Sequence, residues 1–170
     1  MKKQQKRTLE FAIIRYDDEN YLCYKDGNEY VYVANSMYTF VEGEDEFQII
    51  PPDFSFRKKI YTYNKRKVRI VPELYPNGWL AICAENPKNK SDYEALTVNL
   101  ETSNAVGLPK NTFVDCNNQP QALKFLIKNK LVTDAHYKRK NGFVQYPMVF
   151  VDLVLLYQHN PEIFQGINIR

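Results

Sequence analysis

Pro76-Asn77-Gly78-Trp79-Leu80-Ala81-Ile82-Cys83-Ala84 decides the fold class. Its first three residues are turn chemistry, and the apolar run that follows is short and sharply bounded, which suits a buried strand. A polar loop is expected at residues 85–92, and Tyr93-Glu94-Ala95-Leu96-Thr97-Val98-Asn99-Leu100 reads as a second strand. Phe113-Val114-Asp115-Cys116 gives a third, shorter one. The period then changes: Leu123, Leu126, Ile127 and Leu131 fall on one helical face while Lys124, Lys128 and Lys130 stay mostly off it. This spacing predicts a helix over residues 119–130 packed on the sheet, with Asn118 as its cap and Pro120 in the first turn. Residues 136–142 read as a charged loop, residues 143–157 as strand with Pro147 at an edge or bulge, and the tail from Pro161 as one helical turn.

Toward the N-terminus the chain keeps the strand period. Strands are expected at residues 9–14, 21–24 and 29–34, separated by Asp17-Asp18-Glu19-Asn20 and Asp26-Gly27-Asn28, which are hairpin turn chemistries. Tyr30 and Tyr32 alternate with Val31 and Val33, so that strand should carry one aromatic and one aliphatic face. Further strands at residues 38–41 and 47–50 flank the acidic loop Glu42-Gly43-Glu44-Asp45-Glu46. Pro51-Pro52-Asp53 cannot continue a central strand, because proline lacks the ladder donor, and a subdomain boundary is placed there. The fold class is therefore α+β: a mostly antiparallel sheet with one principal packed helix and an N-terminal β-rich lobe. Residues 1–56 form the acidic lobe and residues 57–170 the basic α+β core. The buried set is expected to include Trp79, Leu80, Ile82, Leu96, Val98, Phe113, Leu123, Leu126 and Phe143.

A chain of 170 residues can bury one ordinary core. The longest apolar candidate for a membrane span, residues 148–157, is broken by Asp152 and is far short of the roughly 20 residues a bilayer needs. The basic start, Met1-Lys2-Lys3-Gln4-Gln5-Lys6-Arg7, leads into a short strand containing Glu10 and not into a cleavable apolar segment. A soluble cytoplasmic protein, with no membrane contact, is expected.

Cys23, Cys83 and Cys116 lie far apart and without the paired spacing of zinc ligands, so they read as reduced thiols packed in a core. His136 reads as a loop residue beside Tyr137-Lys138-Arg139-Lys140, and His159 as a turn residue before Asn160-Pro161. Asp115, Asn117 and Asn118 fit turn and capping hydrogen bonds better than a metal or phosphate site. No nucleophile-base pair, glycine-rich phosphate cradle or metal spacing is legible. The expectation is a protein that is not an enzyme and holds no metal and no cofactor.

Charge is divided along the chain. Residues 8–56 hold two basic and eleven acidic side chains, a net of −9, whereas residues 57–170 hold seventeen basic and nine acidic, a net of +8. Two candidate surfaces follow. Asp17, Asp18 and Glu19, with Glu42, Glu44, Asp45 and Glu46, would engage a cationic groove, carboxylates standing in for phosphates. Arg57, Lys58, Lys59, Lys65, Arg66, Lys67 and Arg69, interleaved with Tyr61 and Tyr63, have the composition of a nucleic-acid contact, and Lys138-Arg139-Lys140 could extend it. A polarised protomer could also pair with itself as a homodimer.

Four blocks carry a resemblance. Tyr75-Pro76-Asn77-Gly78-Trp79-Leu80-Ala81-Ile82, Leu96-Thr97-Val98-Asn99-Leu100, Phe113-Val114-Asp115-Cys116-Asn117-Asn118 and Gly142-Phe143-Val144-Gln145-Tyr146-Pro147 resemble an uncharacterised domain family of phages, plasmids and conjugative elements of Gram-positive bacteria. The match spans about residues 67–152, and members usually carry Thr where Cys116 stands. The resemblance implies a small accessory protein of a mobile element. Such proteins often blunt host defences, so it implies a non-catalytic inhibitor of a bacterial defence nuclease or other host protein, CRISPR nucleases leading. The alternative is a nucleic-acid-binding accessory protein of phage or plasmid maintenance.

Overall fold

The computed structural model describes residues 7–169; Lys2, Lys3 and Lys6 of the basic start lie outside the described residues. The chain is α+β, and every strand pairing is antiparallel.

The N-terminal β-rich region is a five-stranded sheet made of β1 (Phe11–Tyr16), β2 (Glu19–Asp26), β3 (Glu29–Tyr32), β4 (Thr39–Val41) and β5 (Gln48–Ile50), in the order β4-β3-β2-β1-β5. The β1–β2 turn has two residues, and Asp17 and Asp18 both take positive φ, +49° and +60°. That left-handed pair matches the twist of a tight hairpin, and aspartate tolerates it better than most side chains. The expected two-faced alternation is present. Val31 and Val33 join Ile13, Leu22 and Tyr24 in the main core, while Tyr30 joins Ile14, Cys23 and Phe40 on the opposite face.

A four-stranded sheet follows, β6 (Tyr61–Tyr63), β7 (Arg66–Leu74), β8 (Leu80–Asn86) and β9 (Asn89–Ala95), paired in that order. Residues 85–92, expected as a loop, are mostly strand: β8 runs through Asn86, and β9 starts at Asn89 after a two-residue turn. The polar residues there sit on an exposed edge strand, where half-buried alternation is lost. A third sheet contains β10 (Thr97–Val98), β11 (Asn111–Val114), β12 (Val132–Asn141) and β13 (Val144–Val151), in the order β10-β11-β13-β12.

Two seven-residue helices are present, α1 (Ala122–Lys128) and α2 (Leu153–His159). The first is shorter than expected. Asn118 does not cap it; its backbone and side-chain amides donate to Asp115 at 3.2 and 2.9 Å, closing a turn ahead of the helix. The second was expected as strand, because Leu153-Val154-Leu155-Leu156 is a short apolar run that periodicity cannot assign. Asp152 decides it: its carboxylate accepts from Leu155 N at 3.0 Å, an N-cap. Residues 136–142, expected as loop, complete the β12–β13 hairpin, with a bulge between Asp134 and Tyr137 and His136 at φ +55°.

One cluster of buried side chains draws on all three sheets and both helices, including Ile13, Leu22, Val33, Tyr61, Leu80, Leu96, Val114, Leu126, Val149 and Leu156. Gly107 locks the first sheet to the rest. Its φ is +67°, a Cβ there would lie 2.5 Å from Val33 O, and the next residue, Leu108, donates its N–H to that oxygen at 2.8 Å. Of the expected buried set, Leu80, Ile82, Leu96, Phe113 and Leu126 are fully enclosed. Trp79, Val98 and Leu123 are only half-buried, Ile127 is exposed, and Phe143 is wholly exposed at a hairpin tip. A hydrophobic residue in a strand-like pattern need not face the core where the strand has turned back on itself.

Candidate interaction surface

The two acidic segments meet, although Asp17 and Asp45 are 28 positions apart in sequence. Arg15, Tyr16, Asp17 and Asp18 of the β1–β2 hairpin and Asp45, Glu46, Phe47 and Gln48 before β5 line one shallow polar depression. The β1–β5 pairing brings them together, aligning Arg15 with Gln48. Glu19, Glu42 and Glu44 do not line it, and the carboxylates of the two segments differ in what they do. Asp45 accepts from Val41 N at 2.7 Å and so closes its own loop. Glu42 lies 3.5 Å from Lys25, which raises the lysine's pKa, and accepts from Tyr30 OH at 3.0 Å. Asp18 lies 3.6 Å from Arg15. Glu19 accepts from Tyr21 OH at 2.8 Å, and that hydrogen bond, with burial behind it, raises the Tyr21 pKa. Asp17, Glu44 and Glu46 make no ion pair among the described residues.

Beside the carboxylates lies a layer of rings that sequence reading saw only in part. Phe40, 2% exposed, is its hub, with Tyr16, Tyr21 and Tyr38 at 5.2 to 5.3 Å and Phe47 at 6.0 Å between centroids. Tyr16 and Tyr38 remain exposed at the rim, and Met37 stands almost free in solvent. The outer face of the first sheet is thus aromatic, with acid at one end.

The basic hairpin is built differently from its expectation. Residues Phe54–Lys58 form a 3-10 turn, with Asp53 as its cap, and only β6 and β7 make the hairpin, joined by Asn64 and Lys65 at φ +49° and +62°. Tyr61 and Tyr63 point inward and are buried. Tyr63 OH donates to Gln119 Oε1 at 2.6 Å, and both rings pack on Phe125. Neither ring is available to stack a base. Arg57 pairs with Glu162, Arg66 pairs with Glu94 at 3.0 Å, Lys59 lies over the rings of Phe56 and Tyr61, and Arg69 is half-buried. Lys58, Lys65 and Lys67 are exposed with no ion pair among the described residues.

The thiols and the His159 imidazole occupy structural positions, whereas the His136 ring is exposed beside Asp134. Burial pushes Cys23 and Cys83 up to about 12, which disfavours a reactive thiolate, and Cys116 Sγ donates to Gln145 O at 3.4 Å. His159 is not a turn residue: it is buried at the end of α2. Among the described residues no group of three or more His, Cys, Asp or Glu side chains is placed to hold a metal ion. A cleft of about 710 Å³ opens between β1–β2 and β13–α2. Several of its polar groups are engaged, Asp152 as a helix cap and Gln158 as acceptor for Asp53 N at 2.8 Å.

The four blocks that carry the resemblance interlock. Tyr75 OH shares a hydrogen bond with Thr97 Oγ1 at 2.9 Å, and Asn99 Nδ2 donates to Asn77 Oδ1 at 2.9 Å, tying the first block to the second. Thr97 aligns with Val114, tying the second to the third, and the Cys116–Gln145 contact ties the third to the fourth. Asn77 Nδ2 also reaches Glu101 O and Ser103 O at 3.0 and 3.2 Å, and Trp79 Nε1 donates to Ser103 O at 2.8 Å. These residues hold a loop in place, which is architecture. No family model, curated protein or solved structure matches the chain.

Proposed function

We propose that this chain acts by binding and not by catalysis, its acidic aromatic face occupying the cationic nucleic-acid groove of a bacterial defence nuclease, with CRISPR nucleases the leading target. The observation that supports this reading is the convergence of Asp17 and Asp18 with Asp45 and Glu46 on one depression beside the Phe40 ring layer. Carboxylates carried on short turns present negative charge without the entropy of a flexible tail, and their field speeds encounter with a cationic partner. Exposed Tyr16 and Tyr38 at the rim supply rigid contact area of the kind that anchors interfaces. The nucleic-acid reading of the β6–β7 hairpin is weakened by the burial of both its tyrosines.

The test uses Asp17→Asn, Glu44→Gln and Glu46→Gln together, because these carboxylates do no structural work that the hydrogen bonds reveal. The triple variant should melt with wild type and lose inhibition of a susceptible CRISPR nuclease, its association rate falling about tenfold at low salt. Unchanged inhibition in the variant would defeat the acidic-face reading. If wild type inhibits no nuclease and sediments as a dimer that the triple variant breaks, the same face serves self-association.

A further inference from the structure

The β12–β13 hairpin leaves its sheet. Its outer part, from Lys138↔Pro147 to Asn141↔Val144, continues past the last β11 pairing, Phe113↔Met148, as a two-stranded ribbon. The ribbon is held at its root on one side. Arg139 Nη1 donates to Glu101 Oε1 at 3.0 Å, and its guanidinium lies 4.6 Å over the ring of Phe113. Side chains alternate across a strand, so Lys138 and Lys140 face away from that anchor, and neither makes an ion pair among the described residues. Lys138 and Pro147 share a depression with Leu123, which places α1 alongside. Exposed Lys124 and Lys128 belong to that helix.

At the apex stands Phe143. It is the second residue of a two-residue turn whose first, Gly142, takes φ +64°, and it is 104% exposed. The turn requires the glycine and sets no demand for an aromatic after it. Polar residues are the usual choice at such a position, so a phenylalanine standing in water on a ribbon that carries exposed lysines calls for a ligand with a flat apolar face and negative charge.

We propose that this tip is a contact for single-stranded nucleic acid, with a base stacked on Phe143 and phosphates taken by Lys138 and Lys140. Stacking on an exposed ring and charge neutralisation by adjacent lysines are the two terms that single strands offer a protein without sequence preference. An anionic membrane offers the charge but not the fit. The tip carries one apolar side chain between Asn141 and half-buried Val144, too little surface for stable insertion. The surface is separate from the acidic face and does not depend on the nuclease reading.

The experiment follows fluorescence anisotropy of a labelled oligothymidine about 15 nucleotides long, a length suited to small single-strand sites. Phe143→Ala should weaken binding about tenfold and leave the salt dependence alone. Lys138→Gln with Lys140→Gln should flatten the log-log salt slope by about 1.4, two phosphates at roughly 0.7 each. Both variants should melt with wild type, since the altered side chains are outside the core. Lys65→Gln with Lys67→Gln, on the other hairpin, should bind as wild type. Absence of oligonucleotide binding by wild type overturns the proposal, as does undiminished binding by both tip variants or loss confined to the Lys65 and Lys67 variant. Sedimentation with phosphatidylserine vesicles is the remaining arm: vesicle binding abolished by Phe143→Ala, with oligonucleotide binding untouched, assigns the tip to membranes and also overturns it.

Discussion

The hydroxyl of Tyr61 and Nε2 of His159 lie 2.7 Å apart in the buried seam between β6 and α2, joining residues 98 apart in sequence. His159 Nδ1 sits 2.7 Å from Leu155 O, which can only accept, so Nδ1 carries a proton, and in the neutral ring Nε2 accepts from Tyr61. Burial favours that neutral ring. Its pKa is lowered from 6.5, burial being the main cause and the nearby Lys59 a lesser one, with the Leu155 carbonyl opposing both.

Stability should depend on pH through this group. Below about 6.5 the unfolded chain binds a proton that the folded His159 refuses, so the contribution is full above that pH and declines as pH falls toward the lower folded value. Urea midpoints measured from pH 7.5 down to 5 should drop for wild type. In His159→Gln the slope over this window should flatten. Tyr61→Phe should cost about 1 to 2 kcal/mol at pH 7.5 by leaving Nε2 without its donor.

Gly107→Ala should destabilise by about 2 kcal/mol or more. The methyl meets Val33 O at 2.5 Å and the backbone is already left-handed, so relief requires moving the strand end that Leu108 N holds. Thermal melting would show it, and a loss under 0.5 kcal/mol would mean that the first sheet docks more loosely than the contact implies.

Phe113 and Phe143 make a matched pair of opposite character, 1% and 104% exposed. Phe113→Ala should cost about 3 to 5 kcal/mol through cavity formation, and Phe143→Ala should stay within about 0.5 kcal/mol of wild type. Trp79→Ala should fall between, at about 2 kcal/mol, because the indole is half-buried and Ser103 O keeps a second donor in Asn77 Nδ2 at 3.2 Å.

Two lysines sit in left-handed backbone where glycine belongs. Lys65 is the second residue of the β6–β7 turn, and Lys130 follows α1, where its N–H goes to Ile127 O and Leu131 N goes to Leu126 O in a Schellman closure. Lys65→Gly and Lys130→Gly should each raise stability by about 0.5 to 1 kcal/mol in equilibrium unfolding, strain relief exceeding the added chain entropy.

By itself the sequence determined the α+β class, the N-terminal run of hairpins and the two-faced strand at residues 30–33, because turn chemistry and a period of two are local signals that neighbours rarely override. It also showed that acid and base are segregated along the chain. Whether Leu153-Val154-Leu155-Leu156 became strand or helix also turned on a local signal, the Asp152 cap that opens α2, which the apolar pattern masked. Tertiary structure decided the rest. Tyr61 and Tyr63 alternate with cations as an exposed hairpin would, yet Phe125, Gln119 and His159 arrive from distant segments to bury them. Phe143 looks like a core residue because hydropathy is blind to where a ribbon ends. The acidic depression likewise exists only because β5 pairs with β1, which sets Arg15 opposite Gln48 and so brings together two segments distant in sequence. Side-chain chemistry is written in the chain, but which side chains share a surface is fixed by long-range packing.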